Sequence, residues 1–294
     1  MWLLIIFSLF IFSKCLSARN PGIRLQITPR GINIVNTVAA VLVSKNAKTM
    51  KITNQAGRDI NVEYELKDIK IKKFQLGKSS ITRYTANSLK WTAENIDLDI
   101  DGQYQYKYRR FSVKYSDKGS FTVNFSKMAF KIQIQLGTDS SGRPAVRASQ
   151  CVHAYGPIKY VFHGGKDWIL KLFAEKAIQG IRNKFQNNLC VIVKTLVDKN
   201  AQRTVSNVNV KIPLGNSMMV DYRLLSYPSV STYHLEVDFK GTVLWRYGQT
   251  EAPYSAASFP SNYDTTKMAY IAISDYLFNT MFIKLTDTTC LCST

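Results

Sequence analysis

The chain has 294 residues, of which 39 are lysine or arginine against 20 acids, for a formal charge of +19 and a pI near 9.7. A surface this basic selects polyanions as partners: nucleic acid, anionic lipid head groups, or sulfated and phosphorylated glycans. The length confines the chain to one large or two modest domains, and no stretch after the amino terminus is apolar for the roughly 20 residues a membrane span needs.

Met1 to Phe12 is an apolar run followed by small residues at Ser17 and Ala18. This is the pattern of a signal peptide over residues 1–18, so the mature protein is expected to be secreted and extracellular. That compartment lowers the prior on nucleic acid and favours bacterial envelope, anionic membrane surface or extracellular glycan. It also permits disulfides. Of five cysteines, Cys15 leaves with the signal; Cys190 has Cys151 as its expected partner, two free buried thiols being the alternative. Cys290-Leu291-Cys292 is too tight for an ordinary internal bridge.

Next, Ile23, Leu25 and Ile27 alternate until Pro29-Arg30-Gly31 stops them. An amphipathic helix is predicted over 32–46, with Ile32, Val35, Val38, Ala39 and Leu42 on one side. The period then switches to two: Val62–Lys72, Ile96–Ile100, Tyr104–Tyr108, Phe121–Phe125 and Phe130–Leu136 read as antiparallel strands with one face solvated. Turn clusters separate them, among them Gly77-Lys78-Ser79-Ser80 and Ser116-Asp117-Lys118-Gly119.

From Trp168 the apolar residues Leu172, Ile178, Ile181, Phe185, Leu189, Ile192 and Leu196 recur at helical spacing. They predict a helix of roughly 34 residues, about 50 Å long at 1.5 Å per residue. Further strands are predicted at Val208–Pro213, Tyr222–Leu225 and Leu235–Phe239, a connector over 248–266, and an apolar helical run over Met268–Phe278. The expected fold is α+β: a strongly curved, barrel-like antiparallel sheet wrapped around two amphipathic helices, one very long, with an aliphatic and aromatic interior that is either a packed core or an apolar lipid pocket.

The chemistry of catalysis is missing from the sequence. There is no Gly-x-Ser-x-Gly elbow, no His-Glu-x-x-His, no Cys-x-x-Cys and no phosphate-binding glycine loop, and His153, His163 and His234 lack metal-ligand spacing. Neither an enzyme nor a metal or organic cofactor is expected. Basic residues, by contrast, cluster. Lys107, Arg109, Arg110, Lys114 and Lys118 crowd one hairpin among Tyr104, Tyr106, Tyr108, Phe111 and Tyr115, opposed locally by Asp117 alone. Lys45, Lys48, Lys51 and Arg58 follow the first helix, and Lys67, Lys70, Lys72 and Lys73 share a strand. Guanidinium forks grip phosphate in two-point contact and lysine adds point charge; a solvated strand face with no ligand is the plainer alternative. Asn124-Phe125-Ser126 is a glycosylation sequon.

Several long motifs resemble one family. Leu136-Gly137-Thr138-Asp139-Ser140-Ser141-Gly142-Arg143-Pro144 running to Cys151, and Asp167-Trp168-Ile169-Leu170-Lys171-Leu172-Phe173 running to Cys190, are similar to segments of the bactericidal/permeability-increasing and lipopolysaccharide-binding protein family. Asn20-Pro21-Gly22 and the run from Lys267 to Thr280 are similar to its mature amino terminus and to the start of its second barrel. The resemblance implies a barrel-plus-helix module over 19–200, central-sheet strands over 201–247, a linker over 248–266 and the beginning of a second module over 267–294. It implies a Cys151–Cys190 disulfide. It further implies that Lys48, Lys51, Arg58, Lys107, Arg109, Arg110, Lys114 and Lys118 meet the lipid A phosphates of bacterial lipopolysaccharide. Val35, Val38, Leu42, Trp168, Leu172, Ile178, Ile181, Phe185 and Leu189 would line a pocket holding phospholipid or lipid A acyl chains. The expected function is lipid-binding antimicrobial host defence in innate immunity. Two rivals are a phospholipid carrier of the same fold and a glycan-binding surface protein using the basic hairpins alone.

Overall fold

In the computed structural model, which describes residues 20–59, 61–247, 251–252, 254–260 and 265–290 (286–290 for backbone alone), the alternating segments form strands of unusual length. The expected signal peptide and Cys292 lie outside these residues, as do parts of the expected connector. From the amino terminus come β1 (Ile23–Ile27) and α1 (Pro29–Lys48). Proline at the first helical position starts α1 three residues earlier than its apolar period suggests, because its missing N–H is one the helix cannot use there. Then follow β2 (Gln55–Asp59), β3 (Val62–Gln75), β4 (Lys78–Thr85), β5 (Ser88–Arg110), β6 (Val113–Thr138), β7 (Pro144–Ala154) and β8 (Ile158–His163). They pair in the order β2-β3-β5-β6-β7, with β4 added to β5 and β8 to β6.

Strands of 23 and 26 residues cannot stay flat. Register shifts in β3 and β5 coincide with left-handed residues at Asp68 and Asn95, and Lys127 does the same in β6. Such bulges bend a strand and raise its twist. The sheet therefore curls around a concave face carrying Tyr64, Leu66, Trp91, Ile96, Leu98, Ile100, Tyr104, Phe121, Phe125 and Phe130, all buried. At Gly102 an added Cβ would sit 2.4 Å from the Phe121 ring, so only glycine lets that ring cross the backbone.

Helix α2 (Asp167–Thr195) fills the concavity. Ile169, Phe173, Ala177, Ile181, Phe185, Leu189 and Val193 are buried against the sheet, with Phe173 stacked on Tyr64 at 4.8 Å. Fully burying each large side chain contributes about 1.5–3 kcal/mol. The helix runs on through a π-helical stretch, Leu196–Ala201, into α3 (Gln202–Ser206), 40 residues in all rather than the predicted 34 or so. The extension has a purpose at the sheet edge. Asp198 and Gln202 accept hydrogen bonds from the β7 amides of Ala148 and Val146, each at 2.7 Å, capping donors that would otherwise be unpaired. Cys151 of β7 and Cys190 of α2 form a disulfide, Cα to Cα 6.0 Å.

Beyond α3 the strands are short. β9 (Lys211–Leu214), β10 (Met218–Asp221) and β13 (Thr242–Trp245) form one small sheet. β11 (Ser229–Val230), β12 (Leu235–Phe239), β1 and β14 (Ala269–Ile273) form another, in the order β11-β12-β1-β14. Helix α4 (Asp275–Cys290) closes the described chain.

Three expectations are corrected. Met268–Phe278 is not one helix: 269–273 pairs with all five residues of β1, and the helix begins only after Ser274, whose Oγ accepts from the Tyr276 amide. Tyr222–Leu225 is not a strand; the Asp221 carboxylate bonds the Arg223 amide and guanidinium and turns the chain there. Among the described residues the sheet curls without closing and aromatic and aliphatic side chains fill the space between it and α2, so no enclosed apolar pocket is seen there.

Two consequences are measurable. Replacing both Cys151 and Cys190 by serine opens a loop of 39 residues and should cost about 4 kcal/mol in the chain-entropy model, read as a lower denaturation midpoint in urea. Asp221 has a fully buried side chain; burial pushes its carboxyl up, but Arg223 hydrogen bonds and the Arg223 and Lys240 charges together hold it below its ordinary value. Stability from this group is therefore present above the usual carboxylate pKa and lost as pH falls through the lowered one. The gap in melting temperature between wild type and Asp221→Asn should be widest at pH 7 and shrink on acidification.

Candidate functional site

The β5–β6 hairpin projects past the rest of the sheet. All residues from Arg109 to Lys118 are exposed, and Phe111 at the turn is 94% exposed in a left-handed conformation. Its base is held by aromatic contacts: Trp168, at the start of α2, packs edge-on against Tyr108 at 4.9 Å and Tyr115 at 6.3 Å, and the Lys166 ammonium lies 5.2 Å from the Tyr115 ring. Trp168 is thus half-exposed beneath the hairpin rather than inside a pocket.

Cross-strand register decides which cations meet. Arg58, Glu63, Lys107 and Ser116 form one row across β2, β3, β5 and β6; Ala56, Glu65, Gln105 and Lys118 form the next. Arg109 pairs with Lys114 one step nearer the turn on the same outward face. These rows line an open cleft of about 890 Å³ bounded by Arg58, Glu63, Glu65, Lys107, Asp117 and Lys118 among others. The structure therefore brings Arg58 to the same cleft as Lys107 and Lys118. It also brings carboxylates that the hairpin sequence alone does not disclose. Arg58 is ion-paired with Glu63, and this guanidinium holds the Glu63 carboxyl below its ordinary value, with help from Arg109 and Lys107. Lys67 donates to Gln105, which donates to Glu65 at 2.5 Å. Cations unmatched by an acid within the row are concentrated toward the turn: Arg109, Arg110 and Lys114.

Lys48 and Lys51 do not line the cleft. Lys48 occupies the last turn of α1, where a cation complements the negative end of the helix, and Lys51 lies in the connection to β2. Asn124 sits on the outward face of β6, its amide donating to Asp99 at 2.6 Å.

The expected pocket residues divide into two sets. Ile178, Ile181, Phe185 and Leu189 are core residues of α2, and none is more than 4% exposed. Val35, Val38 and Leu42 face outward on α1 with Ile34 and Val41, a continuous half-exposed apolar strip; Leu172 is likewise half-exposed on α2. α1 also carries Arg30, Asn33, Thr37, Ser44, Lys45, Asn46 and Lys48, and only Asn36, Val43 and Ala47 are buried. A second cleft, about 550 Å³, opens at the amino end of α1 between Pro29, Ile32, Ile81, Arg83, Val230, Tyr233 and His234. Sequence reasoning missed it because three segments far apart in the chain supply its walls. Among the described residues no group of side chains could hold a metal ion, and no helix is long and apolar enough to cross a membrane.

A long helix in a curled sheet, a basic finger at one extremity and uncovered apolar helix surface together define an α+β helix-in-sheet module. Comparison with known proteins places it. Residues 33–208 match the N-terminal domain of the LBP / BPI / CETP family and residues 213–291 its C-terminal domain, so the chain belongs to that family. It is 28% identical over 266 residues to the bactericidal permeability-increasing protein of Sebastes schlegelii, covering 88% of this chain and 55% of that one. Against human lipopolysaccharide-binding protein the figure is 24% over 267 residues, covering 89% and 54%. The chain thus spans about half the length of the curated relatives it matches. The crystal structure of a lipopolysaccharide-binding protein superposes with a TM-score of 0.74 at 24% identity, over 88% of this chain and 58% of that one, which shows the shared fold.

Removing the acid that neutralises Arg58 tests the cleft directly. Glu63→Gln should tighten binding of pyrophosphate about two- to fivefold, the range set by an exposed ion pair of up to about 1 kcal/mol, as read by titration calorimetry.

Proposed function

We propose that this protein is a secreted host-defence protein that binds bacterial lipopolysaccharide, meeting lipid A phosphates with its basic hairpin and acyl chains with its apolar surfaces. The observation that carries the reading is the hairpin itself: Lys107, Arg109, Arg110 and Lys114 surround an almost fully exposed Phe111. Arg109 and Arg110 supply the two-point phosphate grip, with Arg58 adjoining. Lys48 and Lys51 contribute to the general positive field rather than to the contact. For acyl chains, the strip of Ile34, Val35, Val38, Val41 and Leu42 and the cleft beside Ile32 and Tyr233 are the supporting surfaces. They replace an enclosed pocket lined by Ile178, Ile181, Phe185 and Leu189.

The energetics assign separate tasks. Surface ion pairs contribute roughly 0–1 kcal/mol each and weaken with salt, whereas each buried methylene contributes about 0.8 kcal/mol. Charge speeds arrival and burial retains the lipid. The names of the relatives, bactericidal permeability-increasing and lipopolysaccharide-binding, support the ligand class. Secretion is supported by the disulfide and by the apolar amino-terminal run.

The test is surface plasmon resonance on vesicles containing lipid A and on plain phosphatidylcholine vesicles. Arg109→Glu with Arg110→Glu should weaken lipid A binding at least tenfold while leaving phosphatidylcholine uptake within twofold of wild type. Raising salt from 0.05 to 0.5 M should slow association and barely alter dissociation. An unchanged lipid A affinity in the double variant sinks the reading. Equal loss on both vesicles points instead to a carrier without endotoxin selectivity.

A further inference from the structure

We infer that the cleft beneath the hairpin binds a phosphate ester that carries a primary ammonium, the chemistry of phosphoethanolamine. Such a ligand shares Arg58 and Lys107 with the lipid A reading, but its ammonium needs Glu65, which a lipid A phosphate does not. In a chain of net charge +19, the cleft walls carry Arg58, Lys107 and Lys118 against Glu63, Glu65 and Asp117, three charges of each sign. A site for a bare anion would keep the cations and shed the acids, as the turn does with Arg109, Arg110 and Lys114. This cleft keeps both.

Partners divide the six charges unequally. Glu63 is ion-paired with Arg58, and the Asp117 carboxylate accepts from the Lys118 amide at 2.8 Å. Among the described residues Glu65 has no ion-pair partner. Gln105 donates to its Oε2, and Lys67, two residues along the strand, donates at 2.9 Å to the Gln105 carbonyl instead. Lys107 and Lys118 likewise have no acid within ion-pair distance among the described residues.

Register sets the spacing of these unmatched groups. Glu65, Gln105 and Lys118 are consecutive in one cross-strand row, so acid and cation stand two strand spacings apart, about 10 Å at the backbone. Neutral Gln105 lies between them, and Lys107 is diagonal to Glu65 in the adjoining row. A ligand with its phosphate on Lys107 and Lys118 and its ammonium on Glu65 bridges that gap, each charge meeting its opposite. Inorganic phosphate would leave Glu65 unmatched and facing a like charge. A quaternary ammonium fits less well, because it has no N–H to donate to a carboxylate. The rings that could enclose it by cation–π contact, Tyr64 and Tyr106, are buried.

The experiment is titration calorimetry at low salt on the disulfide-intact chain with O-phosphoethanolamine, O-phosphocholine and inorganic phosphate. O-phosphoethanolamine should bind about fivefold tighter than either of the others, the size of one exposed ion pair. Glu65→Gln should erase that preference by weakening O-phosphoethanolamine alone, and Glu65→Asp, which keeps the charge, should retain it. Lys118→Gln should weaken all three alike. Phosphatidylcholine vesicles with and without phosphatidylethanolamine then name the source. Glu65-dependent retention on the mixed vesicles assigns a membrane headgroup, and Glu65 dependence with the soluble compound alone assigns a free amino phosphate. Equal affinity of wild type for the three compounds overturns the inference, as does a preference that survives Glu65→Gln or a loss in that variant shared by all three. Lipid A binding is read with Arg109→Glu and Arg110→Glu, so either reading can fail without the other.

Discussion

The burial of α2 in the concavity of a sheet with two strands of 23 and 26 residues is the constraint from which the rest of the module follows. A hairpin that long has too much apolar face to leave wet and no second sheet to cover it. It must bend, and the left-handed residues at Asp68, Asn95 and Lys127 concentrate the bend at three bulges on neighbouring strands. The helix that fills the bend must be as long as the sheet is tall. Its length in turn creates the need for a staple, which the Cys151–Cys190 disulfide supplies near one end and the Trp168 contacts with Tyr108 and Tyr115 supply at the other.

A filled concavity changes where lipid can go. Ile181 and Phe185 are fully buried among sheet aromatics, so displacing them for an acyl chain would forfeit contacts worth several kcal/mol. The outward strip of α1 carries no such cost, because its five aliphatic residues already face solvent. The buried side of α1 shows how the helix is held while that strip stays open. Asn36 accepts from the Trp91 indole at 2.9 Å and donates to the Ser79 carbonyl at 3.1 Å, a satisfied polar clamp inside an otherwise apolar contact.

Much of this was legible in the sequence, and the failures have physical causes. Period-two alternation from Val62 to Leu136 marked the curled sheet, since a half-buried strand must alternate. The stripe from Trp168 marked α2, although its continuation through Asp198 and Gln202 was invisible because those side chains serve the β7 edge rather than a hydrophobic face. Met268–Phe278 misled because a short, almost uncharged apolar run satisfies both periods, and only the presence of β1 alongside decides for a strand. At the hairpin, composition located the cations, but Glu63 and Glu65 come from a strand some forty residues away and enter only through register. The apolar residues of the two helices were equally legible as apolar; which of them face solvent was not, because that depends on the handedness with which the sheet wraps each helix.

Separation of the two kinds of surface has a consequence for how the module works. The field of a +19 chain reaches about 8 Å beyond the surface at physiological ionic strength, whereas apolar burial begins only at contact. A finger that projects its cations beyond the sheet extends the reach of the long-range force. Balancing Arg58 against Glu63 nearer the body keeps that force from being spread over the whole face. Attraction is thereby aimed through the turn, where Phe111 is the first side chain to touch. A polyanion without an apolar layer, such as a sulfated glycan, would profit from the field but leave Phe111 and the α1 strip in water. That contrast is why the proposed function takes an amphiphile rather than a sugar chain as ligand.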